Sequence, residues 1–249
     1  MKLEGNIKTT VICSEDRQHV YEITKEFDCE GEEVMLLTLY PTLDDAYSLD
    51  SSTMHMINHA SEMGINKIHF IYLFSQVQSG KLSTRKLTVD EENLDYLKEL
   101  MEANPKVKLI VSFGSSMEKC KAAIESKVKL FSIVQASRPE EPLWQLDADG
   151  MEEEAPHILF AGIRHADDEW SLRHYKVPLK YTAEGYKAYL AASEQKRERF
   201  IQNVLNRKNK ASTGQKESTQ VETVEVKVDV EPAIENTKKG RKKHGKQAE

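Results

Sequence analysis

Val34-Met35-Leu36-Leu37-Thr38-Leu39-Tyr40-Pro41-Thr42 is the stretch that decides the fold class. It is almost continuously apolar, too short for a helix, and stopped by a proline that lacks the N–H a helix or ladder would need. A run of this kind reads as a strand buried on both faces, as found at the centre of a parallel sheet. Residues 67–74 and 107–113 repeat the pattern, 128–135 reads as a fourth strand, and 157–161 as a short fifth. Helical segments fall between them. One is capped by Ser51 or Ser52 and closed by Gly64, with Met54, Ile57 and Ala60/Ser61 inward. A second covers 90–103, with Leu94, Leu97 and Leu100/Met101 inward. A third starts at Ser115/Ser116 and ends near 126.

Strands alternating with helices predict a three-layer αβα sandwich around a central, mainly parallel four- to five-stranded sheet. Upstream, residues 8–13 and 19–27 read as an N-terminal β-hairpin turned at Ser14-Glu15-Asp16. Downstream, 137–156 reads as an acidic loop and 182–207 as a long helix. The expected organisation is a single domain over 1–207 (hairpin 7–27, core 34–181, C-terminal helix 182–207). A charged tail follows at 208–249, with too few large apolar residues to fold alone.

The composition narrows the function. Of 249 residues, 39% are hydrophobic and 31% charged, and the net charge is −6. Residues 208–249 hold ten Lys/Arg against seven Asp/Glu, leaving 25 against 34 in residues 1–207. An acidic body argues against a broad nucleic-acid surface, which needs clustered Lys/Arg. Three cysteines, Cys13, Cys29 and Cys120, without a Cys-x-x-Cys pair suit a reducing compartment. With no apolar signal core and no run long enough to span a bilayer, the expected location is cytoplasmic, away from membranes. The basic run within 238–246 is a candidate contact for an acidic partner.

In a parallel sheet, ligands sit at the carboxyl ends of the strands. That places Tyr40, Pro41, Thr42, Tyr72, Gly114 and Ser115 around one crevice. Asp45 and Asp50, in the loop after the first central strand, are the candidate catalytic carboxylates, to activate water or orient a base. Ser112-Phe113-Gly114-Ser115-Ser116 is a strand–turn–helix signature that would offer N–H groups to an anion, although it lacks the ending of a P-loop. His55 and His59 share a helix face at i, i+4 but have no third ligand and no intervening Glu, so no metal is expected. No cofactor is expected either. His165, Trp170, Arg173 and His174 form an aromatic and basic group suited to stacking on a base.

The order of these features resembles the family called domain of unknown function 1643. Leu39-Tyr40-Pro41-Thr42 with Asp45, Asp50 and Ser52 or Thr53 resembles its opening signature. Leu73-Phe74, Glu92-Asn93, Phe113-Gly114 and Val177-Pro178-Leu179 resemble its later motifs. That pattern is in turn similar to the uracil-DNA glycosylase superfamily. The resemblance implies a glycosylase-like αβα fold with a nucleobase-sized pocket at the strand ends, and it adds Pro178 to the ligand-binding set, beside His174 of the aromatic and basic group. In glycosylases the polar residue of the first motif positions water, the second strand's Asn reads the flipped base, and a late His stabilises the leaving base. Here Tyr40, Tyr72 and Val177 stand at those positions, which implies that base excision is lost. The expected function is therefore binding of a nucleotide, nucleobase or nucleic acid. The alternatives are an enzyme that processes a small nucleotide through Asp45 or Asp50, and a non-enzymatic accessory protein of phage or plasmid type.

Overall fold

The central apolar run forms a strand of the sheet interior. The computed structural model describes residues 1–212 apart from Leu3, Ser79, Lys81, Leu82, Arg85 and Lys86. The elements in chain order are β1 (Ile7–Cys13), β2 (Val20–Phe27), β3 (Glu32–Thr38), α1 (Ser51–Ala60), β4 (Ile65–Tyr72), α2 (Glu91–Ala103) and β5 (Lys108–Val111). They continue with α3 (Lys121–Ser137), β6 (Leu143–Asp147), α4 (Ile158–Arg164), β7 (Ser171–Tyr175), a 3₁₀ turn (Leu179–Tyr181) and α5 (Ala183–Ser212). Val34 to Leu37 of β3 are fully buried because both faces of the strand are covered. Met35, Leu37 and Leu39 face a core built with α2 and α3; Val34 and Leu36 face another that holds Met56, Ile158 and Trp170 from the side of α1 and α4.

The sheet has seven strands in the order β1-β2-β4-β3-β5-β6-β7. It is wider and more mixed than the four- to five-stranded, mainly parallel sheet expected. The pairs β4–β3, β3–β5 and β5–β6 are parallel. The pairs β1–β2, β2–β4 and β6–β7 are antiparallel. The expected hairpin is present and extends the sheet through β2.

Three segments depart from expectation. Residues 128–135 are helical, within α3. No Gly, Pro, Asn or Asp interrupts Lys121–Ser137, and its buried positions Ala123, Ile124, Lys127, Val128, Leu130, Phe131 and Val134 follow a helical period. The apolar residues Val128, Leu130, Phe131, Ile133 and Val134 imitate a buried strand over a window too short to tell the two apart. Of residues 157–161, His157 is a cap and 158–161 are helical, in α4, which packs so closely on α1 that a Cβ on Gly162 would lie 2.1 Å from His55 Cγ. Conversely, β6 lies inside the expected acidic loop and β7 inside the aromatic and basic group. The inward face of α1 is Met56, His59 and Ala60, while Met54 is exposed.

A charged chain crosses the sheet under α2. His69 donates to Glu22 and Glu33 at 2.5 Å each, Lys67 donates to Glu33 at 2.6 Å, and Thr24 and Tyr96 donate to Glu22. Burial opposes ionisation of Glu22, but the hydrogen bonds from His69, Thr24 and Tyr96 outweigh it and hold its carboxyl down at about 2. Burial likewise opposes protonation of His69, yet its two carboxylate partners raise it above the usual imidazole value.

Residues Met1–Arg199 form one unit that carries the whole sheet. The described part of the second unit, from Phe200, is the end of α5, with Phe200, Ile201 and Leu205 exposed. Residues 208–212 of the expected tail continue α5; 213–249, with the basic run 238–246, lie outside the described residues. Among the described residues no helix is long and apolar enough to cross a membrane.

Candidate functional site

Beyond the carboxyl ends of β3, β4 and β5 lie two adjoining cavities that share Tyr40, His157 and Leu159. The smaller, of about 190 Å³, is lined by Thr38, Thr42, Asp50, Phe70, Tyr72 and His157 among others. The larger, of about 710 Å³, opens between Gly114-Ser115-Ser116, Glu118, Glu153, Glu154 and the α4 side chains Phe160 and Ile163.

Asp50 is fixed by two neighbours. One carboxylate oxygen accepts the Thr53 amide at 2.7 Å and so caps α1, a role expected of Ser51 or Ser52; the other accepts from the Thr42 hydroxyl. Tyr72, the last residue of β4, is buried against the smaller cavity. Burial, reinforced by the Asp50 and Glu22 charges, pushes its hydroxyl far above the ordinary tyrosine value, so it stays protonated. The Tyr72 carbonyl accepts from Asn93 Nδ2 at 2.7 Å, which docks the start of α2 on the end of β4.

His157 went unrecognised in the sequence. Its segment is clamped onto the sheet by three hydrogen bonds: Ser112 Oγ to the Pro156 carbonyl at 2.6 Å, the Gly114 amide to the Ala155 carbonyl at 2.8 Å, and the Ala155 amide to Gln145 Oε1 at 2.6 Å. Gly114 has φ +61, and a Cβ there would lie 2.8 Å from His157 Cβ, so only glycine lets the two segments approach. His157 Nδ1 accepts the Leu159 amide at 3.2 Å as the cap of α4. Burial lowers its affinity for a proton against the opposing pull of Asp50. The ring is therefore neutral near pH 7 with its proton on Nε2, and it carries a hydrogen-bond donor without a charge. The available signal was Pro156-His157 ahead of an apolar turn, a cap pattern that a strand reading obscured.

The structure thus gathers Tyr40, Thr42, Asp50, Tyr72, Gly114 and Ser115 around the two cavities. Pro41 is buried beside them, its carbonyl accepting the Gln78 amide at 2.9 Å. Other expected site residues lie apart. Asp45 turns into its own loop, accepting the Tyr47 and Ser48 amides at 2.7 and 2.6 Å, and these bonds lower its pKa. His174 is exposed on β7 opposite Trp144, near the start of β6 and so at the other end of the parallel strands. Pro178 begins the 3₁₀ turn, whose Tyr181 lines a separate groove with Val177, Phe131 and Gln135. No helix starts at Ser115: α3 begins at Lys121, and its cap residue Cys120 makes no side-chain capping bond, so the expected anion-binding helix terminus is displaced. His59 stacks on Trp170 at 3.9 Å and bonds Glu62. Among the described residues no group of three His, Cys, Asp or Glu is placed to hold a metal.

A family model described as Protein of unknown function (DUF1643) matches residues 21–147, just over half the chain. The chain belongs to that family. No curated protein and no solved structure matches it. The DUF1643 match runs from β2 to the end of β6 and so contains Tyr40, Thr42, Asp50, Tyr72, Gly114 and Ser115. The opposite wall of the crevice, with His157 and α4, lies beyond the DUF1643 span.

Proposed function

We propose that this DUF1643 chain binds a nucleobase-bearing ligand in the crevice at the strand ends and does not excise a base. The observation that carries this reading is the smaller cavity. Its aromatic side chains Tyr40, Phe70 and Tyr72 stand beside a fixed carboxylate, Asp50, and a neutral imidazole, His157. Aromatic walls suit the face of a planar heterocycle, and one acceptor with one donor suits its polar edge. The motif order that resembles the glycosylase superfamily supports the same ligand class. Tyr40 and Tyr72 argue against excision, because a tyrosine ring occupies space that a water-positioning Asn or Asp leaves open.

The test is titration calorimetry with nucleosides, mononucleotides and short single-stranded DNA on the full chain and on Tyr40→Ala. Saturable binding weakened by the substitution is expected, and no saturable binding to any of these ligands would overturn the proposal. A second reading, processing of a small nucleotide, is favoured by Asp50 and His157 sharing one cavity as a base and a donor. Turnover in a metabolite screen that Asp50→Asn leaves unchanged would remove it.

A further inference from the structure

Resting on the nucleobase reading, we infer that the crevice takes a phosphate-free ligand, a nucleoside or free base, and discriminates against nucleotides and nucleic acid. Charge sets this preference. Four carboxylates line the two cavities, Asp50 in the smaller and Glu118, Glu153 and Glu154 in the larger. Among the described residues no Lys or Arg lines either one. Basic groups near these walls are held by other protein partners. Lys180 pairs with Glu118 at 3.2 Å, Arg164 lies over the Phe160 ring at 4.4 Å, the Lys25 ammonium donates to Thr9 at 2.9 Å, and Arg173 donates to the Glu153 carbonyl at 2.7 Å and pairs with Asp147 at 3.4 Å. His157 contributes a donor without a charge.

The backbone does not supply the missing positive field. The turn at Gly114-Ser115-Ser116 is followed by irregular chain up to Cys120, so the first amides of α3 are displaced from the cavity floor. Phosphate sites depend on Lys/Arg or on converging helix-terminal amides. A base seated in the smaller cavity, on the far side of Tyr40 and His157, would send its sugar substituent toward the larger one. Each phosphate there would meet Glu153 and Glu154, while the cations at hand, Arg173 and Lys180, are tied to Asp147 and Glu118. Open-cleft carboxylates are screened by water and salt, so a modest cost per phosphate is expected.

The experiment measures binding of adenosine, guanosine, cytidine and uridine to the full-length protein, each beside its 5′-monophosphate and 5′-triphosphate, at low and high salt. The inference expects at least one nucleoside to bind saturably and its triphosphate to bind at least tenfold more weakly at low salt. High salt and the double variant Glu153→Gln/Glu154→Gln should each narrow that gap. Native circular dichroism and an unchanged melting temperature would establish that the variant is folded. A nucleotide that binds as well as or better than its nucleoside overturns this inference and leaves the nucleobase reading standing. Absence of binding across the whole panel overturns both.

Discussion

Lys127 offers the sharpest energetic test of the fold. It sits on α3 and is 1% exposed. Its ammonium lies 4.5 Å from the Phe113 ring centre and 4.9 Å from that of Tyr181, and it donates to the Tyr181 hydroxyl at 3.3 Å. Burial drives its pKa down from 10.5 to about 8, with Glu118 pulling it up and Lys180 pushing it down. At about 1.4 kcal/mol per pH unit, that depression means keeping the charge costs about 3 kcal/mol at pH 7. Attraction to two aromatic faces returns roughly 1–2 kcal/mol. Lys127→Met keeps most of the stem packing and removes the charge, so it should stabilise the protein by about 1–2 kcal/mol at pH 7. Between about pH 8 and 10.5 the folded lysine is neutral while the unfolded one still holds its proton. Wild-type stability from this residue therefore rises with pH, and the variant's advantage shrinks. Chemical unfolding of both proteins at pH 7, 8, 9 and 10 measures the difference, in which the buried tyrosines common to both cancel. A variant less stable than wild type by 1 kcal/mol or more at pH 7, or a difference independent of pH, would show that the buried charge carries no net cost.

Three further outcomes follow from geometry. Gly114→Ala places a Cβ in a left-handed backbone and against His157; it should destabilise by roughly 1–3 kcal/mol and weaken nucleoside binding, read from melting and calorimetry. Ser112→Ala orphans the buried Pro156 carbonyl and should cost about 1–3 kcal/mol in denaturant unfolding. His69→Gln should destabilise most between about pH 4.5 and 6.5. The raised His69 contributes fully below its unfolded value near 6.5 and loses that contribution as pH rises through its folded value. The depressed Glu22 contributes above its unfolded value near 4.5 and loses its contribution as pH falls toward 2. A wild-type-minus-variant difference that grows with pH above 7 would contradict this assignment.

What the sequence made readable follows from how local the determining physics is. The apolar runs at 34–40 and 67–74 and the hairpin reveal themselves, since each carries its own length and stop signal. So does α2, whose Asp90 caps the helix through the Asn93 amide. The stretch 128–135 did not, because a short apolar run reads equally as a buried strand or a buried helix; only the absence of a breaker back to Lys121 separates them. β6 and β7 were hidden because their stability comes from partners far along the chain, Leu109–Leu143 and Trp144–His174, rather than from their own short, polar sequences. The crevice was half readable. Strand-end logic located Tyr40, Asp50, Tyr72 and Gly114, whereas His157 depends on a clamp of three long-range hydrogen bonds that no local pattern announces. Asp45 and Asp50 look equivalent as text, but one serves its own loop and the other faces the cavity.

The insertion of β2 beside β4, rather than beside β3 which follows it in the chain, sets an order of events during synthesis. The β1–β2 hairpin emerges from the ribosome before β4, and Glu22 to Glu26 find their ladder partners only when Lys67 to Ile71 arrive. β4 must in turn lie parallel to β3, which requires the crossover through α1 to be in place. Until then the inner edge of the hairpin presents unpaired amides and carbonyls, and Glu22 lacks the imidazole that neutralises it. The nascent chain thus carries an open, partly acidic edge until β4 has emerged, and Glu22, which later joins a buried ion chain, keeps that edge solvated while it waits.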